Sequence, residues 1–199
     1  KFAERIGKGF SSIRCVVAHL GGGFSIAAIH NGKIVDNDNR MESAPFTPER
    51  AGGVPPIPLL ETCFSGEYTK EELLMKLYGE GGVYAYLGSK NMVMLEKRAE
   101  QGDQKVTEIY EAMIYQIGKE IAAMASVLDF EIDGILITGG LARDQFLMNG
   151  LRKKIERLGQ IYVYPGSNEN EALAETVARV LTGKENYSSW PVHYQKTGK

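Results

Sequence analysis

The sequence predicts an α/β fold: a mixed five-stranded sheet of three antiparallel strands followed by two strand–helix units, with helices on both faces. Three observations predict it. Two apolar runs and an Asn-Gly turn open the chain. A long stretch of helical periodicity occupies the middle. After residue 134 the pattern turns to strand, helix, strand, helix, the parallel crossover arrangement.

Residues 13–20 and 24–30 read as strands. Asn31-Gly32 is a two-residue hairpin signal, because both central positions of a type I′ turn need positive φ, and it makes 33–37 a third, antiparallel strand. Asp36, Asn37, Asp38 and Asn39 close that strand as a polar loop. Five prolines and two glycines within 44–58, APFTPERAGGVPPIP, predict an ordered loop or hinge with no regular element. Helices are expected at 59–64, 70–78 and 92–101. The longest, 104–128, is carried by Val106, Ile109, Met113, Ile117, Ile121, Met124 and Leu128 at 3-to-4 spacing. GILIT (134–138) is a short buried strand, followed by Gly139-Gly140 and a helix over 144–158. Residues 161–164 form the last strand and 168–181 the last helix, with Ser167 or Asn168 as N-cap and Gly183 as C-cap.

Three regions are expected along the chain. Phe2, Ile6 and Phe10, at i, i+4, i+8, predict 1–12 as the tail of an amphipathic helix belonging to a preceding half, and the chain as a fragment. Residues 13–183 form the main domain. Residues 184–199, ending SSWPVHYQKTGK, lack periodicity and read as an extension.

The composition, 43% hydrophobic and 24% charged, supplies a sizeable core. A net charge of −2 from 23 basic and 25 acidic residues, well mixed, argues against a nucleic-acid partner. No apolar run approaches the roughly 20 residues of a membrane span. Cys15 and Cys63 read as reduced, semi-buried thiols of a cytoplasmic protein.

Four stretches carry candidate chemistry. Gly21, Gly22 and Gly23 lie between two strands; unsubstituted backbone there allows N–H groups to converge on an anion, although a plain bulge would look the same. His19 precedes them as a possible phosphate donor or a structural strand-end residue. Gly139-Gly140 follows a buried strand, where backbone approaches a nucleotide or a tight βα turn forms. Arg50, in the proline-rich loop, is either a solvated arginine or a cation for a phosphoryl group in flight. Glu169 and Glu171 open the last helix, where they serve the helix dipole or reach Mg²⁺ beside bound phosphates.

HLGGGFSIAAIHNGKIVDNDN, PFTPERAGGVP, DGILITGGLA and PGSNENEALA, in this order and with EGGVYAYLGSKN and EKRAEQGD between them, resemble the acetate and butyrate kinases. The resemblance covers nearly all of 2–183 and leans to the butyrate branch, since acetate kinases carry Asn at the position of Gly22. It implies the ribonuclease-H-like (actin-like ATPase) fold, with this chain as the second copy of a duplicated pair. It also implies ATP in the cleft between copies, a requirement for Mg²⁺, and reversible transfer of the γ-phosphoryl to butyrate or another short-chain fatty acid. By position, His19, Leu20, Gly21, Gly22 and Gly23 would hold β- and γ-phosphates. Arg50 would stabilise the transition state. Gly139, Gly140, Leu141 and Ala142, continuing to Asp144, would line the adenosine and α-phosphate site. Glu169 would be the metal-associated glutamate, with Glu171 as substitute. Asn91, Met92 and Val93 stand where acetate kinases carry Asp-Phe-Arg, a departure in the base contacts of the nucleotide. Val54, Pro55, Pro56 and Ile57 are candidates for one wall of an acyl pocket. The family's substrate arginine, catalytic aspartate and catalytic histidine would belong to the preceding half, so this chain alone is expected to be nearly silent. Family members form homodimers. A non-catalytic ATP-binding or actin-like assembly domain is the alternative; a sugar kinase relative lacks an identifiable sugar-hydroxyl base in this chain.

Overall fold

A computed structural model of the protein describes residues 1–38, 43–166 and 169–187, apart from the side chain of Glu169. Residues 1–166 form one compact unit, and the segment from 167 onward is a second. Asn39, Ser167, Asn168 and the tail from 188 therefore lie outside the described residues.

The first unit is built on five strands: β1 (Arg14–Leu20), β2 (Phe24–His30), β3 (Lys33–Asn37), β4 (Gly134–Gly139) and β5 (Ile161–Pro165). They lie in the order β3-β2-β1-β4-β5. The pairs β1/β2 and β2/β3 are antiparallel, and β1/β4 and β4/β5 are parallel. This is the mixed sheet the sequence predicts. Asn31 and Gly32 take φ of 53° and 72° in the predicted hairpin turn.

Alternation along the strands decides the faces. Val16, Ala18, Leu20, Phe24, Ile26, Ile135 and Ile137 are buried toward the helices α6 (Gln104–Val127) and α7 (Gln145–Ile155). From α6, Val106, Tyr110, Met113, Ile117 and Ile121 are fully enclosed, and α7 adds Leu147, Leu151 and Ile155. The periodicity read from the sequence is thus the core stripe of α6. On the opposite face, the one-turn α1 (Phe2–Arg5) buries Phe2 and Ala3 beside Ile13 and Cys15, and the Phe2 ring meets Tyr162 edge-on at 4.9 Å. Phe10, expected on the same stripe as Phe2, is exposed: the helix ends at Arg5, and Gly7, at φ 68°, turns the chain away.

Between β3 and α6 the chain forms α2 (Pro56–Phe64), α3 (Lys70–Tyr78), α4 (Gly82–Leu87) and α5 (Met92–Glu100). Two of these differ from expectation. The proline-rich stretch does not stay irregular, because Pro56 and Pro58 occupy the first turn of α2, where the missing N–H groups have no intrahelical partner to lose. The short α4, not among the expected helices, begins at Gly82 directly after Gly81, and its first amides are satisfied by a neighbouring loop, described below. Cys15 is buried, and burial pushes its thiol up to about 11, so it is inert. Cys63 is exposed rather than semi-buried, because α2 buries none of its residues. In the second unit, α8 (Glu169–Leu181) is followed by Gly183 at φ 69°, the expected left-handed stop. No helix among the described residues is long and apolar enough to cross a membrane.

Candidate nucleotide site

The three glycines form the loop that joins β1 to β2, where Leu20 pairs with Phe24 and Gly21 N donates to Gly23 O at 3.2 Å. Their φ angles are not in the left-handed region, so backbone conformation is not what requires them. Space requires one of them. A Cβ on Gly23 would lie 2.5 Å from an Arg50 guanidinium nitrogen and 2.7 Å from Cζ, whereas one on Gly22 would meet only Glu49 Oε1 at 3.9 Å. The bare backbone at 23 is therefore the seat of the Arg50 guanidinium, and the exposed Gly22 is the open part of the loop.

Arg50 is aimed at that seat by a tight turn over 47–50. Thr47 N donates to Arg50 O at 3.0 Å. The Thr47 hydroxyl accepts from Glu49 N at 3.3 Å and Arg50 N at 3.1 Å, and donates to Gly22 O at 2.9 Å. One buried hydroxyl thus joins the arginine turn to the glycine loop. The start of α4 closes the turn from behind: Gly81 N, Val83 N and Tyr84 N donate to the carbonyls of Glu49, Thr47 and Pro48 at 3.0 to 3.1 Å. A Cβ on Gly82 would collide with the Thr47 carbonyl. The helix N-terminus is consumed by backbone carbonyls of the turn and is not available to a ligand. Lys90 adds an ion pair to Glu49 at 3.2 Å and donates to Gly79 O at 3.0 Å. Thr47→Val, which keeps the shape and removes the hydroxyl, should cost about 2–3 kcal/mol. A urea titration should show a lower midpoint at unchanged slope, with Thr47→Ser restoring most of the loss.

His19 lies on the sheet face opposite α6, and its Nδ1 pairs with the Thr138 hydroxyl of β4 at 2.9 Å. Its Nε2 faces Gly21, 3.3 Å from where a Cβ would stand. Gly139 brings the second glycine turn against the first. With φ 92° and ψ 176° it occupies backbone space that is essentially glycine's alone. A Cβ there would lie 2.5 Å from the Leu20 carbonyl carbon and 2.8 Å from Leu20 N. Gly140, by contrast, is exposed and has open space around its Cβ position. Leu20 is fully enclosed, its backbone included, and Leu141 and Ala142 keep only a small exposed fraction.

Asn91 is already engaged. Its side-chain oxygen caps α5 by accepting from Met94 N at 3.1 Å, a local helix role. Glu169 opens α8 in the second unit, and its side chain lies outside the described residues. Of the four acyl-wall candidates, Val54 and Pro55 line a cleft of about 480 Å³ with Phe46, Tyr86, Ile109 and Ala112. Ile57 instead stands exposed on α2. Thr47, Gly81, Gly82 and Lys90 escape a reading by motif; the paired glycines at 81–82 were the available signal.

The arrangement is an anion-facing edge: a cation on the glycine loop, a ring nitrogen at its root, and open backbone at Gly22 and Gly140. Among the described residues no three His, Cys, Asp or Glu side chains converge.

The sequence profile of the acetokinase family matches residues 1–185. The chain belongs to the acetokinase family. The chain is 42% identical over 186 residues to a protein of Listeria monocytogenes serotype 4b described as a probable butyrate kinase, covering 93% of this chain and 52% of that protein. It thus spans about half the length of the curated relatives it matches. Its fold is that of an acetate kinase from Porphyromonas gingivalis, with a TM-score of 0.78 at 21% identity, covering 89% of this chain and 51% of that one. A propionate kinase from Francisella tularensis gives a TM-score of 0.74 at 20% identity, covering 84% and 49%. The chain therefore has the fold of these two kinases, the one that the resemblance in its sequence implies.

Proposed function

We propose that the chain is the nucleotide-binding half of a carboxylate kinase that moves the γ-phosphoryl of ATP, reversibly, onto butyrate or a related short-chain fatty acid. The observation that carries this reading is the Arg50 guanidinium seated on Gly23, inside the loop that meets the Gly139 turn. An arginine fixed beside open backbone N–H groups is suited to phosphate oxygens whose charge grows during transfer. The 42% identity to a probable butyrate kinase supports the acyl class.

In this reading His19 and the backbone of Gly21, Gly22 and Gly23 hold the β- and γ-phosphates, and Gly140 with the backbone of Leu141 and Ala142 faces the α-phosphate and nucleoside. A carboxylate oxygen of the fatty acid attacks the γ-phosphorus as its bond to the β–γ bridging oxygen breaks; ADP leaves, and Arg50 neutralises the equatorial oxygens. Mg²⁺ would add charge neutralisation, with Glu169 as the residue that holds it directly or through water. Val54 and Pro55 would contribute to the acyl wall. Location in the cytoplasm and a homodimer belong to the same reading, and the exposed Ile57, Leu60 and Phe64 at helical spacing on α2 support the dimer.

Isothermal titration of the chain with MgATP, beside an assay for acyl phosphate formed from butyrate, tests the proposal. Binding without turnover is the expected result. A folded chain that ignores MgATP would overturn the nucleotide reading; brisk turnover would overturn the division of catalytic groups between two halves.

A further inference from the structure

Tyr110 is fully enclosed in the middle of the core stripe of α6, yet its hydroxyl is engaged twice. It lies 2.8 Å from Asp144 Oδ2 and 3.2 Å from the Met92 carbonyl oxygen. Asp144 ends the turn that begins at Gly139 and caps α7, accepting from Leu147 N at 2.8 Å through Oδ1. Met92 opens α5, one residue after Asn91. The first of these segments is the one the nucleotide reading sets against the α-phosphate and nucleoside, and the second stands where the family resemblance puts base contacts of the nucleotide. A second tie joins the same pair of elements: Gln145 N donates to Glu96 Oε1 at 2.6 Å.

We propose that Tyr110 is a positioning residue of the nucleotide site, holding the Gly139–Asp144 turn and the start of α5 at a fixed spacing through a proton-dependent join to Asp144. This rests on the nucleotide reading above. The proton dependence follows from the inventory of donors. A phenol has one proton, and with Asp144 ionised both of its neighbours are acceptors, so it donates to one of them, the nearer carboxylate. When Asp144 takes up a proton on Oδ2, that carboxyl donates to the phenol oxygen, and the phenol proton is free for the Met92 carbonyl. The result is a continuous chain, Asp144 to Tyr110 to Met92, in which each bond strengthens the next.

The surroundings favour that proton. Burial pushes the Asp144 carboxyl up to about 6, with Glu96 and Glu100 of α5 adding like charge, against the lowering bonds from Leu147 N and the Tyr110 hydroxyl. The Tyr110 hydroxyl itself is pushed up by burial and by Asp144, so it stays protonated throughout. The edge of the Phe146 ring packs on Tyr110, with centroids 5.4 Å apart. The join therefore rearranges as the pH crosses the carboxyl's titration: the ionised form holds the charge-assisted Asp144 bond alone, and the protonated form exchanges it for the chain that reaches Met92.

The test uses the 199-residue chain, wild type, Tyr110→Phe and Asp144→Asn. Amide nitrogen shifts of Val93, which shares its peptide group with the Met92 carbonyl, and of Leu147 are followed from about pH 5 to 8, a window centred near the Asp144 carboxyl. MgATP affinity is measured at both ends by calorimetry. In the wild type both shifts should titrate with one midpoint near 6. Both variants should abolish the Val93 titration. Tyr110→Phe should bind MgATP about five- to tenfold more weakly. Asp144→Asn, whose amide donates permanently, should match the acidic wild type and cancel the ligand's own titration from the comparison. Equal MgATP affinity of wild type and Tyr110→Phe overturns the positioning role while leaving the nucleotide site intact. A Val93 shift that ignores the Leu147 midpoint overturns the proton relay, and Asp144→Asn supplies this readout if Tyr110→Phe fails to fold. Failure of the wild type to bind MgATP is failure of the nucleotide reading, and the positioning role falls with it.

Discussion

Gly139→Ala should lower stability by about 3–5 kcal/mol, a fall of roughly 10 °C or more in the thermal midpoint. Gly140→Ala, one residue later, should change it by less than about 0.5 kcal/mol. Two independent causes act at 139. The backbone there, φ 92° and ψ 176°, is one that a residue with a Cβ adopts only under strain of about 1–3 kcal/mol. The added methyl would also press on the Leu20 carbonyl and nitrogen, which are main-chain atoms of the central strand and have no rotamer by which to retreat. Neither cause operates at 140, where φ is ordinary and the Cβ position is open. Differential scanning calorimetry of the two variants side by side decides the matter; equal midpoints would mean that the contact between the two glycine turns is not what holds β4's end against β1. The pair also separates folding from function. Gly140→Ala should leave a normal fold, and, in the nucleotide reading, a methyl group standing where the backbone must approach a phosphate.

The contrast between neighbouring glycines marks how far the sequence could be read. The strands of the hairpin, the stripe of α6 and the strand–helix alternation after 134 were legible because each depends on periodicity, which is local. The order β3-β2-β1-β4-β5 was not: the hairpin signal pairs β2 with β3, but the place of β4 beside β1 is a long-range choice that no local pattern states. The first turn of α2 and the whole of α4 were not legible. At Pro56 and Pro58, proline's usual meaning reverses because the first helical turn has no N–H bond to lose. At Gly81-Gly82, the paired glycines announce a close approach, but not that it is to a turn more than thirty residues away. The candidate site shows the same division. Its members could be picked out by residue type and by resemblance, but their relations could not. That Gly23 exists to seat Arg50, that Thr47 bolts the two loops together and that Asn91 is consumed as a cap are all facts of tertiary geometry.

Gly23→Ala should reproduce most of the functional loss of Arg50→Ala while hardly disturbing the fold. The methyl group would occupy the place of the guanidinium, 2.5 Å from one nitrogen and 2.7 Å from Cζ. Unlike Leu20 beside Gly139, the displaced atoms are the far end of a long, flexible side chain. They swing aside into solvent, and the stability cost should stay under about 1 kcal/mol. What is lost is the fixed position of the charge. If Arg50 neutralises a phosphoryl group in transfer, its removal should lower turnover of the two-part enzyme on the order of a thousandfold. A guanidinium moved by the width of a methyl group loses most of that, because such stabilisation depends on being in place beforehand. The two changes should not add. With Arg50 already shortened to alanine, a methyl at 23 has nothing to displace, and the double variant should turn over at the rate of Arg50→Ala alone. Measuring kcat for the four members of this cycle tests the contact directly. Additive losses would show that Gly23 and Arg50 act separately, with the glycine serving the phosphate through its own backbone. Coincident losses would show that this glycine is there for the arginine.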